Sequence, residues 1–241
     1  MRILDDLIST LDSDGTVGDV RQGPFWTAVV TRNCGLASTP HHGEQGGTVL
    51  SDADVTKMID KTPSELIGLT YSDNTLESAI GMATINSLLE VDEGSCVELN
   101  AADFIEEAGR GKNLAIVGHF PFVNRLRESS GETWVIEKAP REGDLAEEEA
   151  QRVLPEADVI AITGSAFVNH SIEGLLSLCR QDSLVIVLGP TTPLSPVLFD
   201  YGVDVISGTK VVDPDTVLRQ VSEGLTFRQM SGVRLLTMRK Q

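Results

Sequence analysis

Residues 158–190, DVIAITGSAFVNHSIEGLLSLCRQDSLVIVLGP, decide the architecture. Two apolar, β-branched-rich runs, DVIAITGS and SLVIVLGP, flank SIEGLLSLCRQ, which has the length of a crossover helix. Strands that are hydrophobic on both faces are what a parallel sheet buried between helices requires. The same pattern extends outward in both directions. NLAIVGHF (113–120), TWVIEK (133–138) and VDVISGTKVV (203–212) are further runs of this kind. PFVNRLRESS, LAEEEAQRVLP, the short SPVLFDYG and DPDTVLRQVSEG are the intervening helices, and GVRLLTMRKQ adds an edge strand. From Asn113 onward the chain therefore reads as a doubly wound α/β unit.

The first hundred residues read differently. Ile3, Leu4, Leu7, Ile8 and Leu11 recur at helical spacing, and VGDVRQG and PFWTAVVTR read as two strands. The Gly-rich, His-bearing stretch from Cys34 to Thr48 reads as a loop. Residues 54–68 suggest one or two short helices, with Pro63 suited to a first turn. In SDNTLESAIGMATINSLLE (72–90), Asn74 followed three residues later by Glu77 is a capping-box pattern ahead of Leu76, Ile80, Ala83, Ile85 and Leu88. A long helix is expected from Asn74. The expected division is an α+β unit over 1–108 and an α/β unit over 109–241, with the seam in EEAGRGKN, where charges and glycines cluster.

Composition excludes two classes of partner. The 241 residues carry 19 Lys and Arg against 36 Asp and Glu, a formal net charge of −17. A chain this acidic repels phosphate backbones unless its cations form a stripe, and here they are scattered, so nucleic acid is not expected. No apolar run approaches the roughly 20 residues that span a bilayer. The start, MRILDDLISTLDSDG, has no basic region or cleavage site. A cytoplasmic, membrane-free protein is expected, with a small molecule as partner and nothing opposed to a homo-oligomer. Cys34, Cys96 and Cys179 are odd in number and widely spaced, which points to reduced thiols.

In open α/β sheets, ligands sit outside the carboxyl ends of the strands, so the residues after each run are the candidates. After the first run come Gly118, His119 and Phe120. This is not GxGxxG, which disfavours ordinary dinucleotide binding. Glu137 closes the second run 19 residues after Gly118, where nucleotide-binding folds place an acid on ribose hydroxyls; a solvated strand end is the plainer reading. The third run ends in Thr163 and Gly164, followed by Asn169, His170 and Ser171, where Asn169 or Ser171 suits a helix N-cap. The fourth ends in GPTTPLSP, whose Gly189, Pro190, Thr191 and Thr192 read as a rigid polar ligand loop and whose Ser195–Pro196 reads as a helix start. Lys210 and Arg141 are two available cations. For a metal, His41, His42, Glu44, His119 and His170 have suitable donor types but no structural-zinc spacing.

YSDNTLESAIGMATINSLL, VGHFPFV, VIEKAPREGDL, ADVIAITGSAFVNHSIEGLL, LGPTTPLSPVLFDYGVDVISGTKVVDP and FRQMSGVRLLTM together resemble the "putative heavy-metal chelation" domain family, over nearly the whole chain. The resemblance implies an enolase-N-terminal-like α+β domain packed on a Rossmann-like domain, with a ligand cleft between them. It also implies a role in heavy-metal chelation or chelator synthesis. The implied ligand is a pterin-, flavin-, siderophore- or corrinoid-precursor-like molecule, with a transition-metal ion or chelate as cofactor or cargo. On that reading His119 and Glu137 are polar or acid/base groups, Phe120 either stacks on a planar ligand or packs in the core, residues 189–195 clamp the ligand, and Ser72 and Asn74 approach from the first domain. Two other readings stand beside it: a transferase using S-adenosylmethionine or a nucleotide, with Glu137 on the ribose, and a non-catalytic carrier.

Overall fold

The computed structural model describes residues 1–40 and 51–240. After helix α1 (Arg2–Ser9), three strands form a small antiparallel sheet in chain order: β1 (Asp19–Gln22), β2 (Trp26–Val30) and β3 (Cys34–Ser38). Three helices follow, α2 (Asp52–Lys57), α3 (Pro63–Gly68) and α4 (Thr75–Leu88). Pro63 opens α3, where its missing N–H costs nothing, and Thr62 and Glu65 close a capping box around it.

β3 corrects the expected loop at Cys34–Thr48. CGLAS lacks strand-like residues because its small side chains serve close packing: a Cβ on Gly35 would stand 2.1 Å from the Ala83 carbonyl oxygen of α4. α4 in turn is buried on nearly its whole circumference, far beyond the expected stripe, so Ser78, Gly81, Thr84 and Ser87 lie inside as well. A helix buried all round must be covered on every side. Its N-cap is Asn74, whose side chain accepts from the Leu76 N–H, while Glu77 accepts from the Ser72 hydroxyl at 2.6 Å.

The remainder builds the larger sheet. Its elements are α5 (Ala101–Gly109), β4 (Leu114–Val117), α6 (Val123–Ser129), β5 (Thr133–Glu137), β6 (Leu145–Ala146), α7 (Ala150–Val153), β7 (Val159–Thr163), α8 (Ser165–Val168), α9 (Ile172–Leu178), β8 (Leu184–Leu188), β9 (Val205–Val211), α10 (Pro214–Ser222) and β10 (Val233–Arg239). Among the described residues the strand order is β10-β9-β8-β7-β4-β5-β6, parallel except for β10, which pairs antiparallel with β9. LAEEEAQRVLP is only partly helical, because it opens with β6 and a 3-10 turn at Glu147–Glu149. Pro196–Tyr201 is likewise 3-10 rather than α.

Side chains alternate across this sheet as a period of two demands. Leu114, Ile116, Val159, Ala161, Ile186 and Leu188 pack with Ile105 of α5 and Val123 and Leu126 of α6. Ala115, Ile160, Ile162, Val185 and Val187 face the other way, into a core shared with Phe167, Ile172 and residues of α1 and α4. The first ninety residues and the larger sheet thus share one continuous apolar interior. α5 runs through the expected seam at 108/109 and packs by Ile105 on the larger sheet.

No helix among the described residues is long and apolar enough to cross a membrane.

Candidate functional site

The strand order reverses between β4 and β7: the chain adds β5 and β6 on one side of β4, then β7, β8 and β9 on the other. Such a switch point opens a crevice above the carboxyl ends of the two central strands. A cleft of about 800 Å³ lies there. Its floor includes Gly118 and His119 after β4, Glu137 and Lys138 after β5, and Thr163 and Ser165 after β7. The small sheet supplies the opposite wall through Phe25, Trp26, Ser38, Thr39 and Pro40, and Asn169, His170 and Ser171 close one side.

Gly118 has φ +96°, which disfavours any side chain, and a Cβ there would stand 2.9 Å from the Thr163 side chain. The glycine lets β4 turn away directly against β7. The chain then presents His119, whose Nδ1 lies 3.3 Å from Oδ2 of Asp144. That carboxylate is 2% exposed and also receives Arg127 at 3.4 Å and the Arg141 N–H at 3.1 Å. A buried carboxylate that accepts from Nδ1 fixes the Nδ1–H tautomer of a neutral imidazole and leaves Nε2 with its lone pair. Among the described residues, none bonds to Nε2 of His119.

His170 is anchored in the opposite sense. Its Nε2 meets the Thr70 carbonyl oxygen at 2.6 Å, so the ring donates from Nε2 and ties the α8–α9 turn to the first half of the chain. Its φ of +62° is uncommon for a residue with a side chain, and this contact holds it. Asn169 does not cap through its own position; its Oδ1 accepts from the Ser171 N–H and hydroxyl ahead of α9.

A row of hydroxyls crosses the floor. Thr163 Oγ1 donates to Ser165 Oγ at 3.3 Å, Ser165 Oγ to Ser38 Oγ at 3.1 Å, and Ser38 Oγ lies 2.9 Å from Thr191 Oγ1. Glu137 stands at the cleft with Oε1 accepting from the Lys138 N–H. Lys138 is 3.7 Å from Glu147, and Glu148 lies beside it, so the acidic rim outnumbers its lysine. Trp26 offers an indole face, tilted against Phe227 at 5.5 Å, and its buried Nε1 has no partner among the described residues.

Several expected site residues lie elsewhere. Phe120 stacks on Phe122, centroids 5.2 Å apart, and packs with the α5–α6 side of the sheet, because the turn at Gly118 sends it across the sheet edge. Gly164 is a packing position: a Cβ would stand 2.4 Å from Oγ1 of Thr192. The GPTTPLSP loop is not the expected clamp. Thr191 and Thr192 are 1% and 2% exposed, since the loop inserts between the halves and not above them. Thr191 bonds Ser38, and Thr192 borders a separate cavity of about 270 Å³. Gly189, at φ +113°, and Pro190 carry the chain into that loop and do not line the larger cleft. Ser72 and Asn74 are engaged at the α4 N-terminus, and Thr75 reaches the cleft in their place. Lys210 is paired with Glu93, and Arg141 reaches the site only through its backbone.

His41, His42 and Glu44 lie outside the described residues. Among the described residues, no group of three or more His, Cys, Asp or Glu side chains is arranged to hold a metal ion. Cys34 is a buried strand residue, and burial, reinforced by the charge of Asp19, pushes its thiol up to about 12. It is held as a neutral thiol, a poor ligand. Asp144, an acid in the turn REGD, and Ser38, in the segment read as a loop, carry no sequence signal of a site.

Residues 100–240 match a family described as "Putative heavy-metal chelation", and residues 4–89 match a second family with the same description. A protein of Methanocaldococcus jannaschii described as uncharacterised is 31% identical over 169 residues, 66% of this chain and 64% of its own length. The crystal structure of a DUF364-family protein of unknown function from Desulfitobacterium hafniense superposes with a TM-score of 0.88 at 25% identity, covering 99% of this chain and 98% of that one. Another member of that family, from Pyrococcus horikoshii, superposes with a TM-score of 0.82 at 23% identity over the same shares and supports the fold.

Proposed function

Given that the chain belongs to the family described as "Putative heavy-metal chelation", we propose that it binds a small metal-chelating or metal-bearing heterocyclic molecule in the cleft above β4 and β7. The observation that carries this is the lining itself. An aromatic wall from Phe25 and Trp26, a row of hydroxyls, two anchored imidazoles and an acid-rich rim face one space of about 800 Å³. That volume suits a pterin-, flavin-, siderophore- or corrinoid-precursor-sized molecule. The rim favours a cationic or metal-bearing ligand over a free anion. The donor set among the described residues lacks a cage for a bare ion, so the metal enters as cargo with much of its coordination already filled. The protein would then act in heavy-metal chelation or in making a chelator.

The same proposal treats the larger sheet as Rossmann-like and the small sheet with α4 as enolase-N-terminal-like. It keeps two units but not the expected boundary at 108/109. The packing of α5 on the larger sheet favours a seam before Ala101, within the interval between the two family matches. The proposed setting is the cytoplasm.

Protein expressed anaerobically and examined by native mass spectrometry with metal analysis should carry a small molecule and stoichiometric metal. Retention of neither, and no uptake of Co, Ni, Fe or Zn chelates, overturns the reading.

Glu137 supports a second reading. It closes β5 at the cleft, where an acid can hold a ribose diol, and this favours S-adenosylmethionine or a nucleotide. That reading expects S-adenosylmethionine to raise the melting temperature of the wild type and not of Glu137→Ala.

A further inference from the structure

We propose that His119 is the ligating group of the cleft, taking one coordination position of the bound chelate's metal through Nε2, with Asp144 as its positioning residue. This deepens the function proposed above and rests on it.

Three observations carry it. First, the two ring nitrogens have separate fates: Nδ1 is spent on Asp144 at 3.3 Å, and Nε2 has no bond from any described residue although the side chain borders the cleft and is 27% exposed. Second, the carboxylate behind the ring is built in. Asp144 is 2% exposed and held by Arg127 and the Arg141 N–H as well as by His119. A metal-binding histidine characteristically donates its other N–H to such a carboxylate, which fixes the ring and raises the basicity of the ligating nitrogen. Third, the nearby hydroxyls are otherwise employed. Thr163, Ser165 and Ser38 bond to one another in a row that ends on Thr191, so no nucleophile is poised on His119, and the free lone pair suits coordination.

His170 is the natural rival and the geometry disfavours it. Its Nε2 donates to the Thr70 carbonyl, so it could ligate only through Nδ1, and the group behind its ring is a neutral carbonyl and not the buried carboxylate that raises the basicity of His119. One imidazole cannot hold a metal ion tightly by itself. It can select a chelate that arrives with a coordination position open.

Copper(II) nitrilotriacetate, a chelate with open coordination positions, is a probe with a spectroscopic readout. With the full-length chain, electron paramagnetic resonance should show nitrogen coupling from one imidazole. The coupling should vanish in His119→Ala and His119→Gln, the second variant keeping the bulk of the ring. Asp144→Asn should keep the fold, checked by near-ultraviolet circular dichroism, and weaken chelate binding about tenfold or more. Coupling that survives both His119 variants, or moves with His170→Ala or with a His41→Ala/His42→Ala pair, overturns the assignment. Unchanged affinity in Asp144→Asn overturns the positioning role. No coupling in the wild type also overturns the ligating role, and the co-purified ligand and metal then decide separately whether the cleft reading stands.

Discussion

The Thr191 hydroxyl oxygen lies 2.9 Å from both the backbone nitrogen and the side-chain oxygen of Ser38, joining the loop after β8 to the end of β3 across 153 residues of chain. Ser38 is the last residue of an antiparallel strand, and its N–H is satisfied by a side chain from the loop after β8. A loop with three prolines in eight residues presents that hydroxyl at little cost in entropy.

Replacing the hydroxyl with a methyl in Thr191→Val keeps the volume and orphans the Ser38 N–H. Ser38 is only partly buried at the cleft, so leaving its donor unsatisfied should cost toward the low end of the roughly 1–3 kcal/mol of a buried group. Urea denaturation should show a loss of that order, recovered in Thr191→Ser. No change in the midpoint would mean that the contact does not hold the halves together.

Gly35→Ala tests the close approach of β3 and α4. The added methyl would meet backbone on the helix, at the Ala83 oxygen and 2.3 Å from the Ser87 nitrogen, so no side chain can swing aside. Overpacking costs about 1–3 kcal/mol, and a clash with backbone belongs at the upper end. A variant with wild-type thermal stability would refute the packing.

Cys34 makes stability depend on alkaline pH. Its folded value of about 12 stands above the ordinary 9.0, so the folded state keeps a proton that the unfolded chain loses between these limits. Below pH 9 the contribution is fully present; as pH rises toward 12 it is lost at about 1.4 kcal/mol per pH unit. The wild type should therefore lose stability more steeply than Cys34→Ala across that window, as read by denaturation at successive pH values. Parallel curves would count against the burial of the thiol. At pH 8 the native thiol should also resist disulfide reagents.

Phe120→Ala separates packing from binding. The ring stacks on Phe122 away from the cleft and is only partly buried, so its removal should destabilise the fold by less than the roughly 3–5 kcal/mol of a fully buried Phe→Ala change. Affinity for the copper chelate should stay within twofold of wild type. A large loss of binding with full stability would return Phe120 to the site.

What was legible in the sequence was whatever repeats. The β-branched runs, Pro63 at a helix start and the long helix after Asn74 all follow from local spacing and all appear in the fold. The strand ends at Gly118, Glu137 and Thr163 followed from a rule about where α/β sheets open, and they line one cleft. What escaped depends on partners distant in sequence. β3 looked like a loop because Gly35 and Ala37 answer to a helix fifty residues away. The threonines after β8 looked like ligand contacts because polarity does not reveal which protein surface it meets. Asp144 was invisible because its meaning depends on a histidine 25 residues earlier.

α4 lies in the shared apolar interior, and Asn86 near its end donates to the Leu36 and Thr191 carbonyls at once, one from each half. The first ninety residues are therefore not a portable cassette. Expressed alone, they would expose the flank of α4 that the larger sheet covers and should aggregate. In any gene fusion or rearrangement the two segments should travel together.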